Sequence, residues 1–236
     1  MIMRKYLTPL FTLGLVFATS GAQAIPLSDL FDGADITVGD KLFSNWGWEP
    51  DTAPQPDDPE IDIDLSQIEV TGDDADSLNI GLNFESNGQL NTSNNDNALD
   101  FNFVFDVTVL DPDFLINGSS LEITETAFDG EGGYISIIET VLDGDGNEVD
   151  SSPMEAEVDN LFGVATLFDS IVFDPLASIS IIKNILAFGD GDTAELVSFE
   201  QHFSQTERGV GVPEPSILFL MGMGLAAIGV VRRRKV

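Results

Sequence analysis

From Leu78 onward, apolar and polar residues alternate at every second position, the period of a strand with one face buried. Leu78, Ile80, Leu82 and Phe84 alternate with Asn79, Gly81, Asn83 and Glu85. Leu99, Phe101, Phe103, Phe105, Val107 and Val109 all fall on one face of a single run, which predicts a central strand. Ile61, Ile63 and Leu65 alternate with Asp62 and Asp64 and predict another. Further strands are expected over Leu121 to Phe128, Tyr134 to Leu142, Glu155 to Phe168, Ser178 to Phe188 and Ala194 to Ser204. Helix is the competing reading only for Leu161 to Phe173 and Ile179 to Leu186. Near the start, Ile36-Thr37-Val38 reads as a short strand and Gly39-Asp40 as a turn. Trp46 and Trp48 stand two apart, on one face of a strand.

Gly, Asp and Asn punctuate these runs at intervals of roughly 8–12 residues, the signature of a sandwich or barrel. Strands apolar on one face and acidic on the other are satisfied by two antiparallel sheets packed face to face. The expected fold is therefore all-β, an antiparallel β-sandwich of jelly-roll-like form. Glu49 to Glu60 (EPDTAPQPDDPE) is rich in proline and acid and reads as a loop or short linker, because proline cannot enter a central ladder. Ser86 to Asn97 reads as a polar loop.

The two ends depart from this pattern. Residues 1–24 have the form of a secretory signal peptide: Arg4 and Lys5 ahead of an apolar run from Leu7 to Ala18, then Ala22-Gln23-Ala24 as a cleavage site for signal peptidase. At the other end, Pro213-Glu214-Pro215 precedes an uncharged apolar run from Ile217 to Val231, followed by Arg232, Arg233, Arg234 and Lys235. As a helix that run would span about 22 Å, short for a bilayer core of about 30 Å but within reach of tilt, thinning and snorkelling basic side chains. The basic cluster would stay cytoplasmic. The expected organisation is a signal peptide (1–24), an acidic β-sandwich domain (25–205), a tether (206–211) and a C-terminal transmembrane segment (212–236).

That C-terminal segment resembles the PEP-CTERM sorting signal of exopolysaccharide-making Gram-negative bacteria. The tripeptide, the single apolar span and the terminal arginines carry the resemblance in that order. It implies recognition and removal of the tail, near Pro215, by exosortase, a membrane-embedded protease. An ITVGDKLFSN stretch near the start resembles a segment of many such proteins and implies no chemistry. The alternative reading of the tail is an ordinary anchor that is never cut.

Removing both ends sharpens the charge. All 41 acidic residues lie between Ile25 and Pro215, against only Lys41, Lys183 and Arg208, a net −38. Such a surface excludes nucleic acid as a partner, because phosphate binding needs basic side chains. It favours solubility and divalent cations. The chain has no cysteine, although an exported protein could form disulfides.

Catalytic candidates are few. The one histidine, His202, has no nucleophile elbow to serve and reads as a surface or edge-strand residue. No His/Cys cluster suits zinc. Paired carboxylates for glycoside hydrolysis are uninformative where 41 acids guarantee some suitable pair. Calcium fits better: Asp143-Gly-Asp145-Gly-Asn147 puts oxygen ligands at alternate positions. Glu148 and Met154 break the EF-hand pattern, and Asp-Gly is equally ordinary hairpin chemistry. Asp190-Gly-Asp192 and Asp73-Asp74-x-Asp76 are weaker versions. Asn91-Thr-Ser93 and Asn117-Gly-Ser119 fit glycosylation sequons but read as loop polarity. Trp46 and Trp48 are the candidates for stacking on a sugar.

The expected protein is exported and non-catalytic. It passes transiently through the inner membrane, is processed by an exosortase-like protease and ends at the cell surface or in the exopolysaccharide matrix. The alternative is a calcium-assisted carbohydrate-binding adhesin or lectin, and a polysaccharide hydrolase stands behind that.

Overall fold

The alternation becomes two antiparallel sheets in the computed structural model, which describes residues 23–49, 63–93 and 98–209. The expected signal peptide up to Ala22, the proline-rich stretch 50–62 and the tail from 210 lie outside the described residues. In chain order the strands are β1 (Ile25–Pro26), β2 (Ile36–Val38), β3 (Lys41–Trp48), β4 (Glu69–Asp73), β5 (Asn79–Glu85), β6 (Ala98–Val109) and β7 (Phe114–Asp129). There follow β8 (Tyr134–Leu142), β9 (Met154–Asp159), β10 (Val164–Thr166), β11 (Phe168–Leu176), β12 (Ser178–Phe188) and β13 (Thr193–Glu207). One short helix, α1 (Leu27–Phe31), follows β1 and buries Leu27 and Leu30.

The first sheet runs β1-β4-β5-β13-β7-β11 and the second β10-β9-β8-β12-β6-β3-β2. The pairs β5–β13, β6–β12 and β7–β11 are nested in the sequence, as in a long hairpin rolled over on itself. β6 is central, paired with β3 on one side and β12 on the other. Each sheet keeps two edges among the described residues.

The inward positions of both sheets meet in one core. Phe43 and Phe105 of the second sheet lie 5.8 and 6.4 Å, centroid to centroid, from Phe203 of the first. Phe84 stacks on Phe199 at 4.4 Å within its own sheet and lies 6.1 Å from Phe103 in the other. Each such buried ring contributes about 1.5–3 kcal/mol relative to an exposed one.

Four expectations change. First, residues 63–68 do not form a strand: Asp64 Oδ1 accepts the Ser66 amide at 3.0 Å and Ser66 Oγ at 2.6 Å, closing a turn. Local capture of backbone by an aspartate competes with sheet pairing. Second, the run from Glu155 to Phe168 is broken by a turn at 160–163 into β9 and β10, and β11 begins in the opposite sheet. Third, neither stretch with a helical alternative is helical: Ile179 to Leu186 lies in β12, and Leu161 to Phe173 covers the turn, β10 and part of β11. Fourth, β13 runs to Glu207, two residues into the expected tether.

Two lysines are core residues. Lys41 and Lys183 have no solvent exposure, although they are two of the three lysines and arginines between Ile25 and Pro215. Lys41 Nζ donates to Gln205 Oε1 at 2.5 Å and to Asp40 Oδ1 at 3.4 Å. Lys183 Nζ donates to Glu139 Oε2 at 2.5 Å and to Gln201 Oε1 at 2.8 Å, and lies 5.3 Å from the centre of the Phe199 ring. Both lysines belong to the second sheet and both glutamines to β13 of the first, so the polar contacts tie one sheet to the other. The outer surface of the described residues is left with Arg208 as its sole lysine or arginine.

Candidate functional site

The sequence-derived tryptophans do not form a platform. Asn45 takes a left-handed conformation (φ 56°) and the β3–β6 register shifts between Ser44 and Gly47. This bulge moves the inward phase from Phe43 to Trp46. Trp46 is 6 % exposed and stacks on Phe105 with ring centres 4.4 Å apart. Its indole face is thus closed to a sugar. Trp48 is half-buried, edge-on to Phe31 and Phe101 at 5.4 Å each.

The Asp143–Asn147 loop joins β8 to β9. Asp143 Oδ1 accepts the amides of Asp145 and Asn147, each at 2.9 Å, and the Asn147 side-chain nitrogen donates to both Asp143 oxygens at 3.3 and 3.2 Å. Those bonds, led by the Asn147 amide, hold the Asp143 carboxyl below its usual range. The carboxylate closes its own turn. Among the described residues no group of three or more His, Cys, Asp or Glu is placed to hold a metal ion.

Asp73 Oδ2 lies 3.1 Å from His202 Nε2, pairing β4 with the outer face of β13. The Ala75 amide first, and His202 second, hold the Asp73 carboxyl low. Asp192 anchors the β12–β13 turn, its Oδ2 accepting the Gly132 amide at 3.3 Å. The sequon asparagines are structural: Asn91 is buried and accepts the Ser93 amide at 2.9 Å, and Asn117 accepts Ser204 Oγ at 3.3 Å.

A recess of about 100 Å³ lies on the outer face at one end of the second sheet, lined by Gly133, Tyr134, Asp159, Leu161, Phe188 and Asp190. Register explains the grouping: Phe188 sits opposite Tyr134, and Tyr134 opposite Asp159, on three neighbouring strands. The Tyr134 hydroxyl donates to Glu157 Oε2 at 3.0 Å, and partial burial pushes its ionisation up. Aromatic faces beside carboxylates can hold a sugar ring by apolar contact and hydrogen bonds. Sequence reasoning missed these residues, yet a signal existed. In β12 the inward positions are odd-numbered, and in β8 Ile135, Ile137 and Val141 point inward. Phe188 and Tyr134 are aromatics in the outward phase.

Exposed apolar residues run on from Leu161 at the recess. Leu161 and Phe162 of the 160–163 turn, Val164 of β10, and Phe168 and Val172 of β11 are 48–80 % exposed.

Among the described residues no helix is long and apolar enough to cross a membrane. Residues 211–235 match the PEP-CTERM protein-sorting motif, so Pro213, Glu214, Pro215 and the basic cluster Arg232 to Arg234 with Lys235 fall within a recognised signal for exosortase-type export and sorting. No curated protein matches the chain. The sandwich is similar to a component of a glycosylation-associated protein complex from Streptococcus agalactiae at 13 % identity and TM-score 0.27, over 73 % of this chain and 25 % of that one. It is similar to a DUF4465 family protein from Bacteroides caccae at 12 % identity and TM-score 0.28, over 80 % of this chain and 95 % of that one. A family 32 carbohydrate-binding module from C. perfringens aligns at 15 % identity and TM-score 0.21, over 69 % of this chain and 97 % of that one. The chain spans about a quarter of the first of these, and likeness at this level decides nothing about activity.

Proposed function

We propose that this chain, whose C-terminal end carries a PEP-CTERM sorting motif, is a non-catalytic protein of the cell surface or exopolysaccharide matrix. An exosortase-like protease removes the tail near Pro215 after signal peptidase has cut at Ala24. The motif at 211–235 carries the reading, because it assigns the body of the protein to the far side of the membrane. Two further features support it. A net −38 between Ile25 and Pro215, with Lys41 and Lys183 buried, leaves an almost wholly anionic outer surface that suits a hydrated matrix rather than an anionic partner. The nested strand pairs also suit a jelly-roll sandwich, a rigid display scaffold. The test is the intact mass of the protein from its host's envelope and medium. A species running from Ile25 to near Pro215 is expected. A species that keeps Ile217 to Val236 at steady state overturns processing and leaves a membrane-tethered domain.

A carbohydrate-binding role is the second reading, favoured by the aromatic and acidic recess at Tyr134, Phe188 and Asp159. Purified host exopolysaccharide should retard the protein in affinity electrophoresis, and Phe188→Ala should abolish the shift. Loss of the shift in chelator as well would add calcium to that reading. Equal mobility with and without polysaccharide overturns it.

A further inference from the structure

Four polar side chains meet in the core between the sheets: Ser119 of β7, Glu139 of β8, Lys183 of β12 and Gln201 of β13. Glu139, Lys183 and Gln201 have no exposure and Ser119 has 3 %. Glu139 touches all three of the others. Its Oε2 accepts from Lys183 Nζ at 2.5 Å, and its Oε1 accepts from Gln201 Nε2 at 3.1 Å and from Ser119 Oγ at 3.0 Å. Gln201 Nε2 also donates to Ser119 Oγ at 2.8 Å, and Gln201 Oε1 faces Lys183 Nζ at 2.8 Å. An amine, a carboxamide and an acid reaching both of them are thus held together out of contact with the surface.

We propose that Lys183 and Gln201 condense into an intramolecular amide, with Glu139 as the proton carrier, so that the two sheets become covalently joined. The amine, not the ammonium, is the nucleophile, and desolvation favours it: burial, opposed by the nearby Glu139 charge, lowers the Lys183 pKa. A proton passes from Lys183 to Glu139. The Nζ lone pair attacks Gln201 Cδ, and the Nζ–Cδ bond forms. A proton relayed from Nζ through Glu139 reaches Nε2, the Cδ–Nε2 bond breaks, and ammonia leaves. Glu139 keeps the remaining proton and ends as a neutral acid. No oxidant or further reactant is consumed. The reaction replaces two buried charges with none, which removes their desolvation cost. Enforced proximity supplies the rate, as in any well-oriented intramolecular reaction. The bond would also supply the covalent closure that a cysteine-free exported domain lacks.

Lys41 and Gln205 provide an internal contrast. Their contact is shorter, at 2.5 Å against 2.8 Å, but Asp40 reaches only the lysine, and Gln205 Nε2 donates to the Ser77 carbonyl at 2.8 Å. With no acid spanning both groups, this pair should stay unlinked.

The experiment is peptide mapping of the processed protein from its host and of the full chain made recombinantly. Cleavage before aspartates releases Lys183 on residues 174–189 and Gln201 on a peptide beginning at Asp192. The expected product is one branched peptide joining the two, about 17 Da lighter than their sum through loss of ammonia to the attacking amine. It should be absent from folded Lys183→Met and Glu139→Gln proteins. Wild-type protein yielding only the two linear peptides overturns the proposal and leaves a buried ion pair. The same mass loss on a linear peptide containing Asn117-Gly118 would be ring closure at that asparagine, and without the branched species it also overturns the proposal. A branched peptide persisting in Glu139→Gln would overturn the role of the acid.

Discussion

Lys183 Nζ stands 2.5 Å from Glu139 Oε2, with neither side chain exposed to solvent. The pair joins β12 to β8 at an inward position of each strand, where aliphatic neighbours exclude water. Removing one partner strands the other as a buried polar group. Measured against unlinked protein, Lys183→Met or Glu139→Leu alone should each cost about 3–5 kcal/mol and the double variant should recover most of that loss, whereas against a wild type carrying the Lys183–Gln201 amide the double variant should stay well short of recovery. Urea unfolding of the three variants provides the double-mutant cycle.

Trp46 is bound into the core, but its indole nitrogen is buried without a partner. Trp46→Phe keeps the stack on Phe105 and removes the unpaired donor, so it should cost less than about 1.5 kcal/mol. Trp46→Ala should cost about 3–5 kcal/mol. Neither should alter polysaccharide retention, which separates this residue from Phe188 in the same electrophoretic assay.

Gly81 of β5 lies opposite His202 of β13, and a methyl group there would sit 2.2 Å from the Gln201 carbonyl oxygen and 2.5 Å from the His202 ring. Gly81→Ala must push the imidazole off Asp73 or part the ladder. A loss of about 1–3 kcal/mol is expected, the ordinary cost of overpacking. The thermal midpoint in differential scanning calorimetry would register it.

Asp73 contributes an acid limb. Its folded pKa lies below the ordinary aspartate value of 3.8, through the Ala75 amide and then His202. A lowered carboxylate stabilises the fold above the unfolded pKa, and the contribution fades as pH falls through the folded value. Wild type should therefore exceed Asp73→Asn in stability at pH 7, and the gap should close below pH 3.8. Parallel denaturant titrations at the two pH values measure it. A gap that stays constant across that range would refute the assignment.

Much of the sandwich could be read from alternation alone. β12 was placed residue for residue, and the six inward residues of β6 from Leu99 to Val109 lie on its core-facing side, five of them buried and Val109 partly so. The readings failed where local chemistry outweighed periodicity. Asp64 closed a turn in an alternating stretch, and the Asn45 bulge changed which face of β3 is buried. β10 and β11 alternate poorly because both are edge strands with exposed apolar residues. The buried network was legible yet unread. Lys183 falls between Ile181 and Ile185 in the inward phase, Glu139 between Ile137 and Val141, and Gln201 between Phe199 and Phe203. A charged residue in step with an apolar face signals a core polar site. Composition draws attention instead to surface acids, whose number conceals the one carboxylate that is wholly buried among the described residues.

Placing Lys41 and Lys183 in the core also determines how the protein meets a digestive enzyme. Trypsin needs an accessible lysine or arginine, and on the outer surface of the described residues it finds only Arg208, just beyond β13. The folded sandwich should therefore pass through trypsin as a single resistant fragment. Within the described residues the one cut would fall at Arg208, between the last strand and the sorting motif, leaving every strand whole.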